Sequence, residues 1–377
     1  MISLITIELK MFFRQRKNWL VLICLVLLSM FFIHSNIKLN QMNEEYRGIL
    51  LSNNISHLQD AILRMTNESN EIYNNEIERL NQEITYMQKM QNALLMEDWN
   101  EYLRNEIASE RSELEGILSG SLVSSTTVEE LEESIAIKEI LIDKNIKPIF
   151  TEYAMSSWNF IPLFLTGNTM FLIVFVIIYF ASSIVASDFE KGTYKLVYNL
   201  PLSKLKIYLS KLITALAINY AWIFTFLLGC FGILAIIVGT GDGDYPYKLH
   251  VNGTDFYVSA IQFVGIASGV LLLLTTFIVC LTIGLSVFLR HSHLTFIITV
   301  AIVFGLNRLV NPEAVSDYTH LNPMIYLDIT NTLKGDLILL FKNAQINLNT
   351  VVPLLVILSL LIIVISSYSF KKMKLSK

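Results

Sequence analysis

Long apolar runs separated by short polar breaks make up most of the chain, and one extended amphipathic stretch interrupts them. The apolar runs fall at 18–36, 156–187, 207–238, 257–289, 290–311 and 350–370. A helix needs roughly 20 apolar residues to cross a hydrocarbon core of about 30 Å, so these runs predict six transmembrane helices. Trp19 and Trp158 stand near the ends of the first two, where amphipathic rings anchor at the interface. The first run follows a basic stretch, as the core of a signal peptide would. Residues 29–34 lack small residues at cleavage-site spacing, so the run reads as an uncleaved anchor.

Residues 37–155 follow a different rule. Apolar and polar positions alternate there at helical spacing, with no proline before Pro148. Leu58, Ile62, Met65 and Ile72 form one heptad-like seam; Ile77, Leu80, Ile84, Met87 and Leu94 form a second. A single helix from 40 to 115 would extend roughly 110 Å at 1.5 Å per residue, and the remainder of the stretch would hardly bring it back. A turn is therefore expected in the Asn-rich segment 67–75, giving an antiparallel hairpin. A second break is expected at 116–126, where Gly116, Gly120 and a Ser/Thr cluster interrupt the pattern. Thr127 followed by Glu130 then reads as a capping box opening a shorter helix that stops before Pro148. The fold class is thus an all-α membrane protein, six spans with an extracellular helical hairpin or coiled-coil domain between spans one and two.

Composition sharpens this picture. Hydrophobic residues make up 53% and charged residues 16% of the 377, and the mean hydropathy is +0.53, too apolar for a soluble domain of this length. The net charge of −4 averages two unlike parts. Residues 37–150 hold 21 acidic and 10 basic side chains, so the rest of the chain is net positive, as positive-inside topology requires. The C-terminal Lys371, Lys372, Lys374 and Lys377 place that end inside.

Candidate chemistry is sparse. Cys24, Cys230 and Cys280 lie far apart in apolar runs without metal-ligand spacing and read as small buried hydrophobes. Asp242 and Asp244 lack the alternating oxygen ligands of a calcium loop. His291 and His293 have no further ligand nearby, so they read as interfacial residues at a tight turn. Asn252-Gly253-Thr254 matches a glycosylation sequon, which matters only in a eukaryotic secretory pathway. Spans two, three and four are read as free of ionisable side chains, which argues against a proton-coupled carrier. No catalytic constellation or Walker A loop is legible, so neither an enzyme nor a chain that binds ATP by that route is expected.

Two segments next to the spans carry more information. Residues 1–17 gather Lys10, Arg14, Arg16 and Lys17 toward the end of an otherwise apolar helix, the pattern of a helix lying in the membrane interface. Residues 188–206 form a charged island between spans two and three. Asp188, Glu190, Gly192, Thr193, Leu196 and Leu200 lead to Pro201, Ser203 and Lys204, and read as a short helix stopped at the proline. This island, directly after a span, resembles the cytoplasmic loop of ABC-2 type transporter permeases, membrane subunits of bacterial ABC exporters. The resemblance covers about 1–36 and 155–377.

That resemblance implies the function. Asp188 and Glu190 would begin an ATPase-coupling segment, Gly192 and Thr193 would open its short helix, and Pro201, Ser203 and Lys204 would close it. Residues 1–17 would form an elbow helix that touches the ATPase, and 312–349 would form short helices dipping into the leaflet between spans five and six. The implied partners are cytoplasmic ABC ATPase subunits, a second permease (identical or homologous), membrane lipids and an amphiphilic substrate such as a peptide, lipid, drug or bacteriocin. ATP and magnesium would be bound in the ATPase, with no cofactor or metal in this chain and no role for nucleic acid. The implied location is the bacterial plasma membrane, multi-pass, with both termini cytoplasmic. Two departures stand out: Lys204 occupies a position where arginine is common, and 37–155 replaces what is often a short loop. The alternative reading is a non-transporting membrane sensor or scaffold whose helical domain binds a ligand or envelope partner.

Overall fold

The computed structural model describes residues 2–67, 74–151, 153–198, 201–308 and 318–372. In chain order the helices are α1 (Ile2–Arg14), α2 (Arg16–Asn67), α3 (Asn74–Leu95), α4 (Trp99–Leu118), α5 (Val128–Asp143), α6 (Ser157–Phe164), α7 (Gly167–Glu190), α8 (Tyr194–Tyr198) and α9 (Lys204–Ile237). Strands β1 (Pro246–Val251) and β2 (Thr254–Ser259) follow. The last five helices are α10 (Ala260–Leu289), α11 (Ser292–Arg308), α12 (Ile329–Lys334), α13 (Asp336–Phe341) and α14 (Leu348–Lys372). The chain divides into two compact units. One holds Met1–Phe31, Ser156–Gly243 and Tyr247–Lys377; the other holds Phe32–Met155 and Asp244–Pro246.

The polar unit is helical, built from the second part of α2 with α3, α4 and α5. Leu80 and Ile84 of the predicted seam are buried, together with Met90 and Ala93. Leu51 of α2 joins Met90, Ala93 and Tyr102 in one cluster, with Met87, Leu94 and Phe150 against it. The Arg47 guanidinium lies 3.6 Å from the centre of the Phe150 ring. A second cluster joins Leu103, Leu141 and Ile146, with Tyr245 packed on it. The turn expected at 67–75 falls largely on residues 68–73, outside the described ones. One break was not expected. Between α3 and α4 Glu97 takes φ 55°, and Asp98 caps α4 by accepting from the Glu101 N–H at 3.0 Å. An Asp capping signal ahead of Trp99 therefore overrides the continuous heptad rhythm. Thr127 and Glu130 form the reciprocal capping box that opens α5.

Among the described residues, the apolar unit contains five helices long and apolar enough to cross a membrane: the first part of α2, then α7, α9, α10 and α14. The run read as span five becomes α11, an apolar helix of 17 residues. Its bounds of 290–311 are corrected at the start, where Arg290 takes the left-handed φ of 56° that ends α10; residues 309–317 lie outside the described ones. α10 is the hub, packed against α6, α7, α9, α11, α12 and α14. α11 runs antiparallel along α7, with Phe296 4.9 Å from Phe175 and Phe304 4.8 Å from Phe171.

The fold is not purely α-helical. The segment read as an outer loop at 239–256 carries the β1–β2 hairpin, turned by Asn252 at φ 55° and Gly253 at φ 78°. Two consecutive left-handed residues are what a tight two-residue hairpin demands, and Asn-Gly supplies them at low cost. The Asn-Gly pair read as part of a sequon is, structurally, the turn. The segment 312–349 forms two short helices, α12 and α13, where it is described.

Span two is not one helix. It breaks at Leu165-Thr166, between α6 and α7: Leu165 leaves helical geometry at φ −88°, ψ 15°, and Thr166 is extended at the start of α7. Broken backbone inside a membrane protein survives only where other groups satisfy it. Here the carbonyls of residues 162–165 each have a donor. Thr330 Oγ1 bonds Pro162 O at 2.6 Å, Thr166 Oγ1 bonds Leu163 O at 2.7 Å, and Thr169 Oγ1 bonds Phe164 O at 2.8 Å. The Thr330 N–H reaches Leu165 O at 3.4 Å. α12 is thereby stitched to the break.

Thr330→Val is expected to orphan the buried Pro162 carbonyl, costing about 1–3 kcal/mol. The unfolding midpoint of the detergent-solubilised chain measures this. Thr225→Val is the control, since that exposed hydroxyl bonds only Ala221 O, and its effect should stay within about 0.5 kcal/mol.

Asp328 supplies a pH test at the same place. Burial holds its carboxyl above the ordinary aspartate value of 3.8, although the N–H groups of Asn331 and Gly167 bond it; Asp336 adds in the upward direction. A folded pKa above the unfolded one means that the folded chain binds more protons. The resulting stabilisation is complete below the unfolded pKa and is lost as pH rises through the folded value. The wild-type midpoint should fall across that window, and Asp328→Asn should flatten the slope.

Candidate functional site, the turn between α7 and α9

The island read as a coupling loop is mostly a pair of helix ends. α7 continues through Asp188 to Glu190, and α9 begins at Lys204, so the irregular segment is shorter than the expected 188–206. The helical pattern of span two simply runs on, with Phe189 continuing its apolar face. Asp188, at the start of the expected coupling segment, is 5% exposed.

Its partner is a residue that the reading of span three overlooked. Lys211 lies two turns into α9 and is 1% exposed, so the spans are not free of ionisable groups. Its ammonium sits 2.8 Å from Asp188 Oδ2 as an ion pair. It donates to Glu8 Oε1 of α1 at 2.7 Å and to Ile184 O of α7 at 3.0 Å. Groups from α1 and α7, distant in sequence, converge on one ammonium of α9. A buried cation requires such partners, because an isolated charge in a low-dielectric interior is far costlier than a paired one. The signal was present in the sequence: a single lysine within the apolar run 207–238.

Glu190 has a different task. Its carboxylate accepts from the Ser292 N–H at 2.6 Å and from Ser292 Oγ at 2.9 Å, with His291 Nδ1 at 3.7 Å. An anion at the N-terminus of α11 satisfies an orphan donor and complements the helix dipole. Glu190 thus ties the end of α7 to the turn between α10 and α11. Sequence reading placed Glu190 and His291 on separate loops and did not connect them.

Beyond Glu190 the chain turns outward. Gly192 takes φ 71°, a left-handed conformation that glycine adopts freely at a helix C-terminus. Thr193 Oγ1 then bonds back to Asp188, at 3.4 Å to its carbonyl and 3.3 Å to Oδ1. Phe189 and Tyr194 stack at 5.3 Å, and the Arg290 guanidinium lies over Phe189. The short α8 presents Leu196, 75% exposed. Leu200 lies outside the described residues. Past Pro201, Ser203 caps α9 by accepting from the Lys206 N–H at 3.4 Å. Lys204 Nζ donates to Lys371 O near the end of α14 at 3.3 Å, and Tyr208 meets Ser366 at 2.6 Å.

α1 lies beside α9 at the same end. It buries a narrow strip, with Phe12 7% exposed and set edge-on to Phe180 at 4.8 Å. Lys10, Arg14, Arg16 and Lys17 are all exposed. The site therefore joins α1, the α7–α8 turn, the start of α9, the α10–α11 turn and the end of α14. Among the described residues no group of three or more His, Cys, Asp or Glu side chains converges as a metal site would require.

A hub of long apolar helices with helix ends tied together at one side defines a multi-pass membrane protein. The family model for ABC-2 family transporter proteins matches residues 2–375. The chain belongs to that family and is a permease of an ABC transporter. No curated protein and no solved structure matches it.

Lys211→Met is expected to strand Asp188 and Glu8 and to destabilise the chain by about 3–5 kcal/mol. Adding Asp188→Asn should recover most of that loss, a non-additivity that a double-mutant cycle on the detergent-solubilised chain detects through its unfolding midpoints.

Proposed function

We propose that this permease moves an amphiphilic substrate outward, driven by separate cytoplasmic ABC ATPase subunits that dock on the α7–α9 turn. Family membership implies such ATPase partners. The observation that carries the docking surface is the contrast within the turn: an exposed Leu196 on α8, borne by residues that are firmly held. Glu190, Thr193 and Asp188 tie the base of the turn to α11 and, through Lys211, to α9 and α1. Force applied at α8 would then reach several helices together. Exposed Lys10, Arg14, Arg16 and Lys17 extend the same surface along α1. ATP and magnesium belong to the ATPase in this reading, and the permease itself catalyses no reaction.

The reading includes six crossings with both termini cytoplasmic. α11 is about 25 Å long at 1.5 Å per residue, near the hydrophobic thickness of a bilayer. It lines α7 from Ser292 beside Glu190 to Phe304 beside Phe171. Lys371 and Lys372 at the end of α14 supply the inside charge. The polar unit then lies outside the cell. A second permease, identical or homologous, completes a transport path in the plasma membrane of a bacterium.

Tagged chain extracted in mild detergent should bring down a Walker-type ATPase. Leu196→Asp, and Glu190→Lys with Gly192→Pro, should each reduce that recovery about tenfold or more, the equivalent of about 1.4 kcal/mol of docking energy. The unfolding midpoint of Leu196→Asp should stay near wild type, because the residue is exposed. Recovery of the chain alone, or with envelope proteins only, overturns the reading and favours a sensor or scaffold acting through the polar unit.

A further inference from the structure

A second feature of the apolar unit lies between the start of α2 and α9. The first apolar stretch of α2 is only 22% buried, and a cavity of about 320 Å³ separates it from α9. Phe13, Trp19 and Val26 form one wall; Trp222, Phe226 and Ile233 form part of the other. Along α9 the cavity extends from Ile218 to Ile233, roughly 22 Å at 1.5 Å per residue. That exceeds half of a hydrocarbon core about 30 Å thick, the depth of one acyl chain in one leaflet. Gly229 lines it, and a Cβ there would meet nothing within 4 Å.

The end of the groove near Trp19 is bordered by charge. Phe12 and Phe13 of α1 line the groove, and the α1–α2 junction that follows them carries exposed Arg14, Arg16 and Lys17. Trp19 Nε1 donates to Phe13 O at 2.9 Å, and Asn18 Nδ2 donates to Phe12 O at 2.9 Å, so the junction is held in place. An apolar slot deep enough for one acyl chain, bordered by exposed basic side chains, fits one class of molecule.

We propose that this groove seats one acyl chain of an anionic membrane phospholipid, its phosphate held by Arg14, Arg16 and Lys17. Such a lipid wedges between span one and α9 and completes the packing that α2 lacks.

The chain has four tryptophans, and Trp19 and Trp222 line the groove. In full-length chain carrying Trp99→Phe and Trp158→Phe, fluorescence therefore reports on the site. The probes are vesicles containing phosphatidylglycerol or phosphatidylcholine brominated on the acyl chain, at equal fractions. Brominated phosphatidylglycerol should quench saturably and at lower fraction than brominated phosphatidylcholine. Gly229→Phe should fill the slot and abolish the saturable component without lowering the unfolding midpoint. Arg16→Gln with Lys17→Gln should reduce the headgroup preference about 25-fold, since each juxtamembrane basic group contributes about a factor of five. Equal quenching by both lipids, unchanged in Gly229→Phe, overturns the proposal. It is also overturned if differently tagged copies associate in wild type but not in Gly229→Phe, because a second copy then occupies the groove.

Discussion

A lysine ammonium with almost no exposure must be neutralised where it sits, and Lys211 of α9 imposes that requirement on both α1 and α7. Its partners come from α1 and α7, so neither can shift against α9 without lengthening a charge contact in a low-dielectric interior. The strip of α1 that touches the bundle is narrow, and the Glu8 contact adds a directional tie to it. Asp188 is shared between Lys211 and Thr193, which links the buried pair to the first residue past the Gly192 turn. The position of the α7–α9 turn follows from these constraints together with the Glu190 cap on α11.

The opposite end of α7 answers a different constraint. There the difficulty is backbone rather than charge, because the α6–α7 break leaves carbonyls without intrahelical donors. Three threonine hydroxyls and one amide meet that need, two of these donors belonging to Thr330 of α12. Hydroxyl bonds of this kind are individually modest, near 1 kcal/mol net, but each prevents a larger penalty from an orphaned polar group. α7 is thus pinned by an ion pair and a cap at one end and by a hydroxyl stitch at the other, with α10 packed along its length.

Much of this architecture was legible because it rests on local pattern. Apolar runs of sufficient length marked the long helices, the Thr127–Glu130 pair marked α5, and Leu80 and Ile84 marked a buried seam. The failures share a cause: short signals were outweighed by long ones. Asp98 was hidden inside a heptad rhythm, Asn252-Gly253 inside a sequon, and the Pro162 break inside an apolar run. Lys211 was missed in the same way, as one polar letter in a stretch averaged as apolar. The partnership of Glu190 with Ser292, 102 residues away, has no local signal at all and depends on α11 lying antiparallel to α7.

The turn combines stiffness and compliance within a few residues. On one side of Gly192 stand Asp188 and Glu190, each fixed by groups from other helices. On the other side stands α8, five residues long and too short to hold itself as an isolated helix. Thr193 bridges the two through its bond to Asp188. That bridge meets a carboxylate which Lys211 ties in turn to α9 and α1. A displacement of α8 that breaks the bridge removes a hydrogen bond from a buried carboxylate and leaves Lys211 as its remaining charged contact. In the docking reading proposed above, α8 is therefore the compliant element, and the ends of α7, α9 and α1 are the held ones.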